Sequence, residues 1–137
     1  MAEAKWGTPS TRSSNFAGTT LNSLANLSES LVVTYDNSTN RDLYGIVTIK
    51  LGSITPSTGG SITLRVTNSD GTDTADKIGG DLYVVPLISG ASAKVAVFNM
   101  VRLYPFSMRL SVINNAGVNL ASSGNELYVR PWNEEVT

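Results

Sequence analysis

Apart from tyrosine, the ionisable side chains of this 137-residue chain are eleven carboxylates and ten Lys or Arg, with no histidine and no cysteine. Without imidazole or thiolate there is no Ser-His-Asp or Cys-His nucleophile, no common zinc ligand set and no imidazole acid/base catalyst. Three chemistries stay open: a carboxylate pair flanking a glycosidic bond, a lysine, or a hard cation held by clustered oxygens. Nine of the eleven acidic residues sit at chain ends and in turns, at Glu3, Asp36, Asp42, Asp70, Asp73, Asp76, Glu126, Glu134 and Glu135, where charges are ordinarily just solvated. That placement argues against an enzyme, and no side chain stands out as catalytic, cofactor-binding or metal-ligating. Asp70, Asp73 and Asp76 share a glycine-rich stretch that invites calcium. It lacks the alternate-position acidic ligands and the distal bidentate Glu of an EF-hand, so the spacing favours a solvated loop. Gly59-Gly60 and Gly79-Gly80 are isolated pairs, without the spacing or the Lys-Ser/Thr of a phosphate-cradling loop.

What remains is surface chemistry. Trp6, Phe98, Met100, Arg102, Tyr104, Tyr128, Arg130 and Trp132 are the aromatic, Met and Arg types that anchor protein contacts. They form the candidate subunit interface. The formal net charge of −1 gives no global attraction to nucleic acid or to an anionic membrane. Apolar runs are far shorter than a bilayer span, and no basic-then-apolar leader follows Met1, so the expectation is a product made in a cytoplasm. Nothing in the residues calls for a small-molecule substrate.

The elements that carry these residues read as strands. Ser, Thr and Asn fill 43 positions, and these types favour turns and strand surfaces over helix interiors. Residues 81–113, nearly free of charge, read as three successive strands at the centre of the fold. Ser89-Gly90-Ala91-Ser92 is a hairpin turn between the first two, and Pro86 marks a sheet edge whose outer face is covered by another element or subunit. In the strand 94–103, Val95, Val97, Val101 and Leu103 are expected inward, with Phe98 and Met100 on the outer face. Ile62, Leu64 and Val66 alternate with Ser61, Thr63, Arg65 and Thr67 as a half-buried strand. Further strands are expected at 31–35 (Leu31, Val33 and Tyr35 on one face), 43–51 with a bulge at Gly45, 106–112, and 126–132. Residues 15–30 read as a loop or a brief 3₁₀ segment with an edge strand near Phe16, and 133–137 as a mobile acidic tail. The spacing predicts an all-β fold, a single antiparallel β-sandwich of seven or eight strands, jelly-roll-like, over residues 15–137. Residues 1–14 form an extended N-terminal arm, whose Trp6 either packs on the nearest sheet or hooks a neighbouring subunit.

The segments Val101-Arg102-Leu103-Tyr104-Pro105-Phe106-Ser107-Met108-Arg109 and Tyr128-Val129-Arg130-Pro131-Trp132-Asn133-Glu134-Glu135 sit in a Ser/Thr/Asn/Gly-rich, cysteine-free body. In that character the chain resembles the small β-sandwich proteins of tailed-bacteriophage virions, most of all head decoration or cement proteins. The resemblance implies a virion location, the major capsid protein or other virion subunits as partners, and a dimer or trimer with the Phe98 and Met100 strand facing a partner. Tail tube, baseplate or fibre components use similar sandwiches and form the nearest alternative. A carbohydrate-binding module stacking sugars on Trp132, Tyr128 or Trp6 is the alternative of another class.

Overall fold

The computed structural model describes residues 4–68 and 79–136, and all regular structure in them is β. In chain order the strands are β1 (Ala4–Trp6), β2 (Val33–Asp36), β3 (Tyr44–Ile54), β4 (Ser61–Thr67), β5 (Asp81–Pro86), β6 (Ser92–Arg102), β7 (Ser107–Asn115), β8 (Glu126–Trp132) and β9 (Glu134–Val136). Two antiparallel sheets, of order β2-β7-β4-β5 and β6-β3-β8, pack as a β-sandwich, and β1 pairs with β9 in a small separate ribbon. Alternation puts Val47, Ile49 and Leu51 of β3, Ile62, Leu64 and Val66 of β4, Met108, Leu110 and Val112 of β7, and Leu127 and Val129 of β8 into one core. Before β2, residues 27–30 run along the same edge of β7, their backbone bonded to Val112 and Asn114, and Glu29 reaches over the outer face of the sheet. There Arg65 Nε donates to the Glu29 carboxylate at 3.1 Å and the Ser111 hydroxyl donates to the same group. Asn114 is fully buried, and its amide donates to the carbonyls of Leu24 (3.0 Å) and Val118 (2.8 Å), which ties down the chain before that segment.

The 81–113 run is less central than its composition suggests. Only β7 is internal; β5 and β6 each end a sheet, and the sheets are different ones. The Ser89–Ser92 connection therefore crosses between the sheets and is not a hairpin. The edge position read from Pro86 is what the structure shows. The Leu87 N–H donates to the Gly60 carbonyl at 2.9 Å, next to the pair Ser61↔Pro86. Hydrogen-bonding sides alternate along a strand, so residue 86 points its backbone away from β4 and the absent proline donor costs nothing.

In β6 the expected faces are inverted over the first half. Lys94, Ala96 and Phe98 point inward, whereas Val95 and Val97 are 58% and 39% exposed. A β-bulge is the cause: between the pairs Gly45↔Val101 and Val47↔Phe98, β3 has one intervening residue and β6 has two, Asn99 and Met100. The extra residue shifts the phase, so Val101 and Leu103 are core as expected and everything before it is reversed. Phe98, 3% exposed, is thus a core residue and not an interface candidate. Lys94 survives burial because its ammonium donates to the Gly90 carbonyl (2.6 Å) and the Ser92 hydroxyl (2.9 Å) of the crossing turn.

Three further expectations change. Leu31 is exposed because the strand begins at Val33. The acidic tail is held by antiparallel pairing of β9 with β1. Residues 7–16 run along β8, where Ser10, Ser13 and Phe16 N–H groups donate to Pro131, Val129 and Leu127 carbonyls at 3.0, 2.8 and 2.9 Å. The arm thereby closes that edge, and Phe16 meets Tyr35 edge-on at 5.5 Å across the gap between the sheets. Asp70, Asp73 and Asp76 lie outside the described residues.

Candidate interaction surfaces

Strand register lays out the outer face of the three-stranded sheet in rows. Tyr44 pairs with both Arg102 and Trp132, Ile46 pairs with Arg130, Thr48 with Val97 and Tyr128, and Lys50 with Val95 and Glu126. Side chains at paired positions share a face. The bulge leaves Met100, half-exposed, beside the Ile46 row. The structure thus brings Met100, Arg102, Tyr128, Arg130 and Trp132 together on one surface, as five of the eight candidates.

Trp6 joins them. Its ring, 57% exposed, lies edge-on to Tyr44 (5.7 Å between centroids) and to Trp132 (6.0 Å), while Tyr44 and Trp132 stack at 5.8 Å. In this chain Trp6 packs on its own sheet, positioned by the β1-β9 ribbon. With Gly7, Pro9, Ile46 and Trp132 it lines an open apolar groove of about 290 Å³. Tyr44 was missed from sequence, since a lone Tyr at a strand start carries no signal of its own.

The rest of the face is fixed by pairing. Arg12 sits over the Tyr128 ring, 3.7 Å from its centroid. The Tyr128 hydroxyl donates to Glu126, which raises the phenol's pKa and lowers the carboxyl's, and Lys50 adds to the latter at 3.7 Å. Arg130 Nε donates to the Ser10 carbonyl at 2.9 Å, binding the arm. Tyr104 stands past the end of β6, under Arg102 at 5.8 Å, and donates its hydroxyl to Asp81 at 2.7 Å. That hydrogen bond, with some burial, raises the Tyr104 pKa. The described carboxylates Asp36, Glu29, Asp81 and Glu126 are all engaged in such local bonds.

A second exposed surface was only partly legible. Leu82 and Val84 of β5 stand exposed on the outer side of the four-stranded sheet, with Ile88 exposed just beyond the strand, whereas the exposed Val95 and Val97 of β6 belong to the outer face of the three-stranded sheet. Tyr83 bridges the two strands there, its hydroxyl accepting from the Arg102 N–H at 3.2 Å. The sequence signal was the two-faced apolar run around Pro86.

No protein-family model, curated protein or solved structure matches the chain.

Proposed function

We propose that the protein is a structural subunit of a tailed-phage virion, a head decoration or cement protein that binds the shell through protein contacts. One observation carries the reading: the outer face of the β6-β3-β8 sheet gathers Trp6, Tyr44, Met100, Arg102, Tyr128, Arg130 and Trp132 on rigid strands. These are the residue types that dominate binding energy in protein interfaces, and here Trp6, Tyr44 and Trp132 are held against one another, which lowers the entropic cost of docking them. The resemblance noted from the sequence supplies the partner, the capsid lattice. Sugar stacking is less well served, because Trp6 stands at 73° to Trp132 and 76° to Tyr44 and so offers no flat platform. Electron microscopy of the parent particle tests the reading. The expected result is density for this sandwich on the outside of the shell, contacting neighbouring capsid subunits through the Trp6/Trp132 face. Density in the tail moves the protein to the tail-component alternative, and absence from the particle overturns the proposal.

A further inference from the structure

We infer that the outer face of the β6-β3-β8 sheet docks an acidic protein segment, in which carboxylates flank a bulky apolar side chain. This rests on the reading of that face as the surface through which the protein binds, and adds what the surface recognises.

Charge is the first observation. The face carries Arg12, Lys50, Arg102 and Arg130 against Glu126 alone, in a chain whose net charge is −1. Glu126 is taken by the Tyr128 hydroxyl and by Lys50 at 3.7 Å. The carboxylates at neighbouring strand ends are turned to local partners, Asp42 to Asn133 and Asp81 to Tyr104. Glu134 lines a separate hollow with Ala4, Lys5 and Trp6. On the other sheet Arg65 is paired with Glu29, whereas none of Arg12, Arg102 and Arg130 forms an ion pair with a described residue.

These guanidiniums are nonetheless held in place with donors to spare. Arg12 lies over the Tyr128 ring and Arg102 over that of Tyr104, at 3.7 and 5.8 Å from the centroids, and Arg130 spends its Nε–H on the Ser10 carbonyl. A guanidinium above a ring keeps its in-plane N–H groups, and Arg130 keeps its Nη pair, the fork that matches a carboxylate.

Register supplies the layout. Arg102 and Trp132 flank Tyr44, and Arg130 flanks Ile46 one row on. From strand spacing and rise, the Cα atoms of Arg102 and Arg130 stand about 12 Å apart diagonally, which about four residues of extended chain would span. Ile46 and Trp132 occupy the crossing diagonal, so that span passes the 290 Å³ apolar groove they line with Trp6, Gly7 and Pro9. A segment with a carboxylate at each end and an apolar residue between them would meet both forks and fill the groove at once. Single-stranded nucleic acid also supplies anions, but it docks by stacking bases on open aromatic faces, and Trp6 stands edge-on across Tyr44 and Trp132.

NMR titration of the isotope-labelled full chain, without any virion component, tests the inference. The probes are a peptide with two glutamates about four residues apart around leucine, its glutamine counterpart, and an oligothymidylate. Both tryptophans of the chain belong to this face, so each indole N–H signal reports on it. The glutamate peptide should shift both indole signals and the Nε–H signals of Arg102 and Arg130. Raising salt from about 0.05 to about 0.5 M should weaken its binding at least about five-fold, because exposed charges are screened. Arg102→Glu should weaken it at least about ten-fold and leave the unfolding midpoint near wild type, since the guanidinium touches only the Tyr104 ring. Should that variant fold poorly, Arg102→Gln, which removes the charge without reversing it, should weaken binding at least about three-fold. No indole shift at millimolar glutamate peptide, equal binding of the glutamine peptide, indifference to both Arg102 variants, or an oligothymidylate bound as tightly overturns the inference. Peptide binding by a protein that no shell retains counts against the proposed function and not against this inference. Shell binding by a protein that ignores the glutamate peptide does the reverse.

Discussion

Replacing Phe98 by Ala tests the phase of β6, on which the whole arrangement of its two faces depends. Phe98 is 3% exposed in the core opposite Val47, while Met100, two positions on, is 52% exposed. Losing the ring forfeits about 2–3 kcal/mol of transfer free energy, and incomplete collapse of the site adds a cavity term. The sum, about 3–5 kcal/mol, is a large part of the roughly 5–15 kcal/mol that holds a domain of this size together. Met100→Ala and Val97→Ala, at half-exposed positions, should each cost below about 1 kcal/mol. Urea unfolding followed by tryptophan fluorescence measures all three, with the slope checked for constancy so that midpoint shifts read as stability. A cost below about 1 kcal/mol at Phe98, with a larger one at Val97, would mean that no bulge resets the strand and that the reasoning is wrong.

Other outcomes follow from single features. Glu29→Ala leaves the largely buried Arg65 guanidinium with only the Gly79 carbonyl and takes the acceptor from the Ser111 hydroxyl, and should cost about 2–3 kcal/mol in the same assay. Gly52→Ala should destabilise by about 1–3 kcal/mol, because an added Cβ would stand 2.2 Å from the Ser123 carbonyl oxygen. Burial raises the pKa of Asp42, whose Oδ2 has no hydrogen-bond partner. Its contribution is favourable while it holds a proton and is lost as pH rises through that raised value, so Asp42→Asn should raise Tm at about pH 7 and gain little at about pH 3. Asp36 and Glu126 shift the other way, Asp36 chiefly through its bond from Ser38 and Glu126 through Tyr128. They lose stability in acid in both proteins, which makes the variant-minus-wild-type difference the quantity to read.

Period-two alternation made β3, β4, β7 and β8 legible, because one side of each faces the core and the other does not. Pro86 announced an edge correctly for the same local reason. The sequence could not show where the chain changes sheet: Ser89-Gly90-Ala91-Ser92 has hairpin chemistry, yet the choice between turning back and crossing over depends on what lies opposite β5. Nor could it show the bulge, since an extra residue in β6 leaves a stretch in which both faces look apolar. Of the interface candidates, Phe98 fell to that phase error and Tyr104 lies beyond the strand. The gathering of Trp6 with Tyr44 and Trp132 depends on pairing between the two ends of the chain, a contact that local pattern does not encode.

Co-sedimentation of the purified protein with shells that lack it tests the central claim most directly. Saturable binding, weakened at least about ten-fold by exchanging Trp6 and Trp132 for Ala, is the predicted result. Shells that pellet without the protein at concentrations where it is folded, or binding indifferent to both tryptophans, would contradict the account.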